Sequence, residues 1–264
     1  MPSIRQSTIT KALSAQFGCA LSAYEEWQMN QQGIYLPTSS AAFLGLTYHY
    51  AIAYYYREKM AGNTPAVIDV SDYFAEAWDS RAALEDDRGV VFDKETPEVL
   101  RSLGQELLFA YFEWLFNYQA ETGEDYQAQA IEIVVERTIV DDWVATTRLD
   151  LLTTKQVIVD HKTTGLFAFP SQKEIDADLQ ATNHRWMLGQ PGDYEFHIIK
   201  KQVPKGSRVG IFRTHRTQGQ LDWYHEQLIK MVEYWKTGVV LPTVGWQCGY
   251  CNLPCNYMRR KQNG

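Results

Sequence analysis

Two consecutive strand-like segments near the middle of the chain each carry an acidic residue inside an apolar run. The first, WVATTRLDLLTT, contains Asp150, and the second, QVIVDHKTT, contains Asp160 and Lys162. β-Branched residues favour strands, and the apolar residues 157–159 indicate that the second strand lies in the core. Because side chains alternate along a strand, Asp160 and Lys162 share one face and His161 lies on the other. The fold must therefore accommodate charged side chains next to its core.

The two acidic residues predict a site for a divalent cation. Carboxylates repel one another at close range, so Asp150 and Asp160 need a compensating positive charge. Mg²⁺ or Mn²⁺ supplies that charge and prefers hard oxygen ligands. Lys162 is then placed to hold a water molecule or to stabilise negative charge on a phosphate. The alternative is a salt bridge between strands, but an Asp–Lys pair without a function is costly in a core strand.

The segments around this pair predict an α/β (α+β) domain with a mixed sheet. Alternating β-branched runs indicate strands, and apolar residues at helical spacing indicate helices. Strands are predicted over 130–140, 143–154, 156–164, 194–203 and 208–217, and helices over 7–27, 39–60, 96–122, 171–188 and 221–235. Residues 66–100 contain ten acidic and three basic residues and are interrupted by Gly and Pro. We expect them to form an acidic, partly irregular insertion.

The four cysteines are unevenly placed, since three lie in the C-terminal motif CGYCNLPC and one lies near the start. They are Cys19, Cys248, Cys251 and Cys255. A disulfide framework is not typical of a large chain without a signal peptide, and the start of this chain lacks the features of one. The spacing favours a four-thiolate metal site or an iron–sulfur cluster. A zinc ribbon and a chance CxxC are the alternatives.

The charge distribution is compatible with a nucleic-acid partner although the net charge is −7. The acidic excess of residues 66–100 accounts for this imbalance, whereas residues 196–221 contain six basic residues and no acidic ones. Screening limits the reach of distant acidic groups to about 10 Å, so a basic stripe can still hold phosphates. From this stripe we predict Lys200, Lys201 and Arg213 as phosphate contacts. A solvated charged face is the alternative.

Four motifs, in order, resemble those of the PD-(D/E)XK nucleases, specifically the RecB-like branch with an iron–sulfur cluster. RLDLL matches the motif of the first acid, Asp150, and VIVDHKTT matches D-x-K with Asp160 and Lys162. GLTYHYAIAYYY resembles the helical motif G-x-x-x-H, with His49 as its histidine. DLQATNHRWML resembles the helical motif Q-x-x-x-Y, with Gln180 as its glutamine. The resemblance covers almost the whole chain.

The resemblance implies roles for individual residues. The implied metal ligands are His49, Asp150, Asp160 and the backbone carbonyl of His161. The implied catalytic residues are Asp150, Asp160, Lys162 and Gln180. The implied ligands of a [4Fe-4S] cluster, with zinc as the alternative, are Cys19, Cys248, Cys251 and Cys255.

The sequence departs from the family pattern at three places. Thr147 stands where the family usually has Gly, and His184 stands where it has the aromatic residue of Q-x-x-x-Y. We include His184 among the predicted DNA contacts. Cys251 and Cys255 are closer together than the family's last two cysteines usually are.

The resemblance also implies a restriction-endonuclease-like fold, a mixed central sheet flanked by helices. We expect one nuclease domain over residues 1–264, with a helical part (1–125), a nuclease core (126–237) and a cysteine segment (238–264). The cysteine cluster is expected to join the two termini. The apolar run from Leu107 is short and contains Glu113, so it predicts a buried helix and no membrane span.

The predicted function is that of a Mg²⁺- or Mn²⁺-dependent DNA exonuclease acting on single strands or DNA ends. Recombination, repair and phage DNA processing are the processes it fits, with a helicase or recombinase as a possible partner. The expected location is the bacterial cytosol or a phage-infected cell. The main alternative is a DNA-binding or recombination-partner module that kept the fold and lost the chemistry. A restriction-type endonuclease is a further alternative.

Overall fold

The computed structural model describes residues 2–14, 19–35, 37–84, 89–92, 95–203 and 206–241. The strands are β1 Ser3–Arg5, β2 Thr38–Ser39, β3 Val90–Val91, β4 Ala128–Val140, β5 Trp143–Thr153, β6 Ile158–Thr164, β7 Gly192–Lys200 and β8 Val209–Arg216. The helices are α1 Gln6–Leu13, α2 Ala20–Gln31, α3 Ser40–Met60, α4 Val67–Leu84, α5 Pro97–Thr122, α6 Gln172–Asp176, α7 Leu179–Leu188 and α8 Gln218–Lys236. Within these residues, no helix is both long enough and apolar enough to span a membrane.

The central sheet is mixed, as predicted. β4, β5 and β6 form an antiparallel meander, β6 and β7 are parallel, and β7 and β8 are antiparallel. β1 pairs in parallel with the first residues of β5. The parallel step from β6 to β7 crosses through α6 and α7, as a parallel connection requires. The mixed sheet and its flanking helices confirm the predicted restriction-endonuclease-like fold.

Helices cover both faces of this sheet. On one face, apolar side chains of α3, α4 and α5 pack against Leu151 of β5 and Val159 of β6. On the other face, α6 and α7 pack against Leu152 and Ile158 of the same two strands. A third cluster joins α1, α2 and α8 to β1 and the start of β5. The strands that carry the acidic residues are therefore buried on both sides.

The acidic segment differs from the sequence prediction. Residues 67–84 of the predicted irregular insertion form helix α4, which buries Val70, Phe74 and Trp78 in the core. Fully burying a large apolar side chain contributes about 1.5–3 kcal/mol, while the acidic side chains at 69, 72, 76 and 79 stay exposed to solvent at no desolvation cost. The acidic side chains obscured this apolar stripe in the sequence.

Two predicted helices are each divided. The predicted helix over 7–27 comprises α1 and α2, and residues 15–18 between them lie outside the described part of the chain. The predicted helix over 171–188 comprises α6 and α7. Asp178 divides that segment, because its carboxylate accepts hydrogen bonds from the main-chain N–H groups of Gln180 and Ala181 and so caps the start of α7.

Candidate active site

The candidate site lies where β5 and β6 separate. Their antiparallel pairing includes Leu151 with Val159, so Asp150 and Asp160 are the next opposite residues along the two strands. Helix α3 faces this point with His49, and the start of α7 faces it with Gln180. The sheet thus brings together residues that are far apart in sequence.

One half of the site is a cluster of His49, Glu132 and Asp150. Each offers a ligand atom, and these atoms all lie within 4.8 Å of one another. His49 Nδ1 is 3.1 Å from Asp150 Oδ1, and the main-chain N–H of His161 donates to Asp150 Oδ2 at 2.8 Å. Two carboxylates and one imidazole are a donor set that suits a divalent cation.

The electrostatics of this cluster favour an ionised Asp150. Burial by itself raises the pKa of Asp150, but the charge of His49 and the hydrogen bonds from His161 and His49 hold that pKa well below its usual range. Burial by itself lowers the pKa of His49, whereas the charge and hydrogen bond of Asp150 raise it overall. A proton on His49 therefore supplies the positive charge that a cation would otherwise bring.

Glu132 is the member of the cluster that the sequence analysis missed. The pairs Ile131–Leu151 and Ile133–Leu149 set the β4–β5 register so that Glu132 stands opposite Asp150. Its φ of 52° lies in the left-handed region, which is uncommon for a residue with a side chain and re-aims that side chain. Burial, followed by the charge of Asp150, raises the pKa of Glu132.

Counting back from the β4–β5 turn would have missed Glu132 by one residue. The turn at residues 141–142 pairs Val140 with Trp143, but the register shifts by one residue between Thr138 and Val140, so a plain count would place Ile133 opposite Asp150. In the observed register Glu136 stands opposite Thr146 and is exposed to solvent, whereas Glu132 faces the acid. Glu132 Oε2 also lies 2.9 Å from Arg148 Nε, which partly balances its charge.

The other half of the site is a triad of Asp160, Lys162 and Gln180. Lys162 Nζ lies 2.8 Å from Asp160 Oδ2 and donates to Gln180 Oε1 at 2.6 Å. Gln180 Nε2 donates in turn to Asp160 Oδ1 at 2.7 Å. The amide therefore bridges the acid and the base and holds both in place. Burial by itself lowers the pKa of Lys162, but Asp160 raises it overall, so the amine stays cationic.

The side chain of His161 lies on the opposite face from this triad. Its Nε2 is 3.0 Å from the hydroxyl of Tyr111 on α5, and its Nδ1 is 3.8 Å from Asp150 Oδ2. This placement agrees with the alternation expected along β6. The role of its backbone carbonyl as a metal ligand stays a prediction.

The predicted DNA contacts are not brought into this cluster. His184 is 1% exposed and hydrogen-bonded to Tyr194 at 2.9 Å, and Lys200 is 5% exposed with its amine 4.2 Å from the centre of the Phe169 ring. Their burial argues against direct contact with DNA.

Two further predicted DNA contacts lie closer to solvent. Arg213 forms an ion pair with Glu195 at 2.9 Å on the α5 side of the sheet, and Lys201 follows β7 as a half-buried residue. For these two residues the DNA contact stays a prediction.

The cysteine cluster also stays a prediction. Cys19 precedes α2 as a half-buried residue, while Cys248, Cys251 and Cys255 lie outside the described residues.

Comparisons with known proteins bear on the family and the fold of the chain. A model of the PD-(D/E)XK nuclease superfamily matches residues 20–255, a range that contains both halves of the site. The chain is similar to the crystal structure of a putative exonuclease from Eubacterium rectale, with 12% identity and a TM-score of 0.53 over 98% of this chain and 92% of that chain. No curated protein sequence matches.

Two other solved structures are more distantly similar. One is LHK-Exo in complex with dAMP, with 13% identity and a TM-score of 0.38 over 90% of this chain and 98% of that chain. The other is a second structure of LHK-Exo, described there as an alkaline exonuclease from Laribacter hongkongensis, with 12% identity and a TM-score of 0.35 over 74% of this chain and 86% of that chain. At 12% identity the structure from Eubacterium rectale bears on the fold alone. The two LHK-Exo structures have TM-scores below 0.5 and support no argument.

Proposed function

Because the chain belongs to the PD-(D/E)XK nuclease superfamily, we propose that it is a metal-dependent DNA exonuclease acting on single strands or DNA ends. The observation that carries this proposal is the junction of two clusters on neighbouring strands. A carboxylate–histidine cluster around Asp150 stands beside the triad of Asp160, Lys162 and Gln180. The similar structure from Eubacterium rectale is described as a putative exonuclease, which agrees with this class of reaction.

The proposed metal ligands are the three clustered side chains, His49, Glu132 and Asp150, with Asp160 and the carbonyl of His161 beside them. Their oxygen-rich donor set suits Mg²⁺ or Mn²⁺. A divalent cation bound there supplies Lewis-acid polarisation of the phosphate and lowers the pKa of water.

The protein's own residues then perform the remaining tasks. Lys162 is held cationic by Asp160, so its amine neutralises charge that develops on the phosphate or orients the attacking water. Gln180 fixes the direction of that amine through its carbonyl oxygen. The main-chain N–H of His161 donates to Asp150, and the charge of His49 is the largest influence that keeps this carboxylate ionised.

We further propose that the four cysteines hold a [4Fe-4S] cluster of structural function, with zinc as the alternative. The support is the CGYCNLPC spacing and the match of the superfamily model up to residue 255. Anaerobically purified protein is expected to be brown and to contain iron. Colourless protein that contains one equivalent of zinc would instead indicate a zinc site.

The proposed setting is DNA recombination, repair or phage DNA processing in a bacterial cytosol or a phage-infected cell. A helicase or a recombinase is the proposed partner. A nuclease that acts at DNA ends fits each of these processes.

The experiment that tests the activity uses single- and double-stranded DNA labelled at one end. Anaerobically purified protein is incubated with Mn²⁺, Mg²⁺ or EDTA, beside a Lys162→Ala variant. The proposal predicts metal-dependent shortening from one end that EDTA and the variant abolish. Internal cleavage would indicate an endonuclease, and tight DNA binding without cleavage would indicate the inactive binding module.

A further inference from the structure

A continuous chain of buried polar groups extends from behind the active site to the far strand of the sheet. The Tyr111 hydroxyl lies 3.0 Å from His161 Nε2 and 3.0 Å from His197 Nδ1. His197 Nε2 lies 3.2 Å from Glu195 Oε2, and Arg213 Nε donates to Glu195 Oε1 at 2.9 Å. Of these side chains, only that of Arg213 is substantially exposed.

The protonation states of these hydrogen-bonded side chains follow from their surroundings. Burial raises the pKa of Glu195 by itself, but hydrogen bonds from His197 and Tyr126 and the charge of Arg213 lower it overall, so Glu195 is ionised. Burial lowers the pKa of His197 to about 4, so this imidazole is neutral at pH 7. Burial raises the pKa of Tyr111, which keeps its hydroxyl protonated.

These states give the hydrogen bonds one direction. An ionised carboxylate only accepts, so the proton of His197 is on Nε2 and its Nδ1 is an acceptor. Tyr111 has a single hydroxyl hydrogen, which it donates to His197 Nδ1. Its oxygen then accepts from His161, which requires a proton on His161 Nε2.

This series of hydrogen-bonded groups ends at His161, the residue whose main-chain N–H holds Asp150. That N–H donates to Asp150 Oδ2 at 2.8 Å, and His161 precedes Lys162 along β6. A ring fixed by a directed hydrogen bond restricts the side-chain and backbone rotation of its residue. A buried polar network gives no general gain in stability over apolar side chains of the same volume. Its position behind Asp150 points instead to control of active-site geometry.

We propose that Tyr111, His197 and Glu195 are positioning residues of the nuclease reaction, which orient His161 and through its main-chain N–H the carboxylate of Asp150. The proposal rests on the proposed function for its reaction, and on the hydrogen-bond geometry between Glu195 and His161 for the orientation of the His161 ring. None of the three residues contacts the reacting phosphate in this arrangement.

The first test compares Tyr111→Phe with Tyr224→Phe in the end-labelled DNA assay. Both replacements remove the hydroxyl of a buried tyrosine. The hydroxyl of Tyr224 accepts a hydrogen bond from Asn183 at 2.9 Å and takes no part in the hydrogen bonds between Glu195 and His161. Tyr111→Phe is expected to lower kcat by about 10–100-fold with little change in KM, as for other groups that orient a metal ligand. Tyr224→Phe is expected to keep its kcat. An unchanged kcat in folded Tyr111→Phe would overturn the proposal.

The second test reads the His161 proton directly and needs no activity. Long-range ¹⁵N–¹H spectra of the ¹⁵N-labelled wild-type protein at pH 7, in EDTA, report which imidazole nitrogen is protonated, and a His161→Gln variant identifies the signal. The inference predicts a proton on Nε2, and a neutral ring protonated on Nδ1 would overturn it even if Tyr111→Phe failed to fold. Because this readout is independent of DNA cleavage, loss of the proposed function and failure of this inference remain distinguishable.

Discussion

Replacing Glu132 by Gln tests the assignment of this residue to the metal cluster. The amide keeps the size of the side chain but removes its negative charge. The ligand atoms of the cluster lie within 4.8 Å of one another, and the Glu132 side chain is 7% exposed. With 4.8 Å as an upper bound for the distance between a bound cation and the Glu132 carboxylate, even the full dielectric screening of water leaves about 1.7 kcal/mol of attraction between them. The variant should therefore bind Mn²⁺ at least roughly 20-fold more weakly.

A second effect acts in the same direction. Arg148 lies 2.9 Å from the Glu132 carboxylate, so the replacement leaves its guanidinium without this counter-charge near the cluster. The matched control is Glu136→Gln, which changes an exposed glutamate of the same strand. Free Mn²⁺ is measured by electron paramagnetic resonance during a titration of each protein. A Glu132→Gln variant with the Kd of the wild type, or an equal loss in Glu136→Gln, would refute the reasoning.

Three further predictions concern Gln180, His184 and Gly104. Gln180→Ala removes the amide that holds Lys162 and should lower kcat in the DNA assay by about 10–100-fold, while an unchanged kcat would deny it a positioning role. Burial lowers the pKa of His184 from 6.5 to about 4, so the stability it contributes above pH 6.5 is lost as pH falls toward 4. Acidification should lower the melting temperature of His184→Gln less than that of the wild type, and equal decreases would contradict this. Gly104→Ala would place its Cβ against the Phe74 ring, with Cε1 at 2.8 Å, and should cost about 1–3 kcal/mol in urea unfolding, whereas a more stable variant would show that the ring moves freely.

The strands and their acidic residues were predictable because their signals are local. β-Branched runs indicated β4, β5 and β6, and the two-residue alternation placed Asp160 and Lys162 on one face. The predicted pairing of acid and lysine is present at 2.8 Å. Short-range sequence patterns are sufficient for features of this kind.

The features that sequence reasoning missed depend on pairing across the fold. Glu132 joins the site only through the β4–β5 register and a left-handed backbone conformation, neither of which a single strand pattern reveals. Helix α4 was obscured because its acidic residues outweighed its apolar stripe in composition. The placement of His184 in the core follows from the packing of α7 on the sheet, where a histidine can be buried once Tyr194 is its partner.

The most direct test of the account separates cation binding from cleavage at the two halves of the site. Mn²⁺ binding and DNA cleavage are measured for the wild type, Asp150→Asn and Lys162→Ala. The account predicts that Asp150→Asn loses both Mn²⁺ binding and DNA cleavage, whereas Lys162→Ala binds Mn²⁺ as well as the wild type and cleaves no DNA. Cleavage by Lys162→Ala at the wild-type rate, or undiminished Mn²⁺ binding by Asp150→Asn, would contradict it.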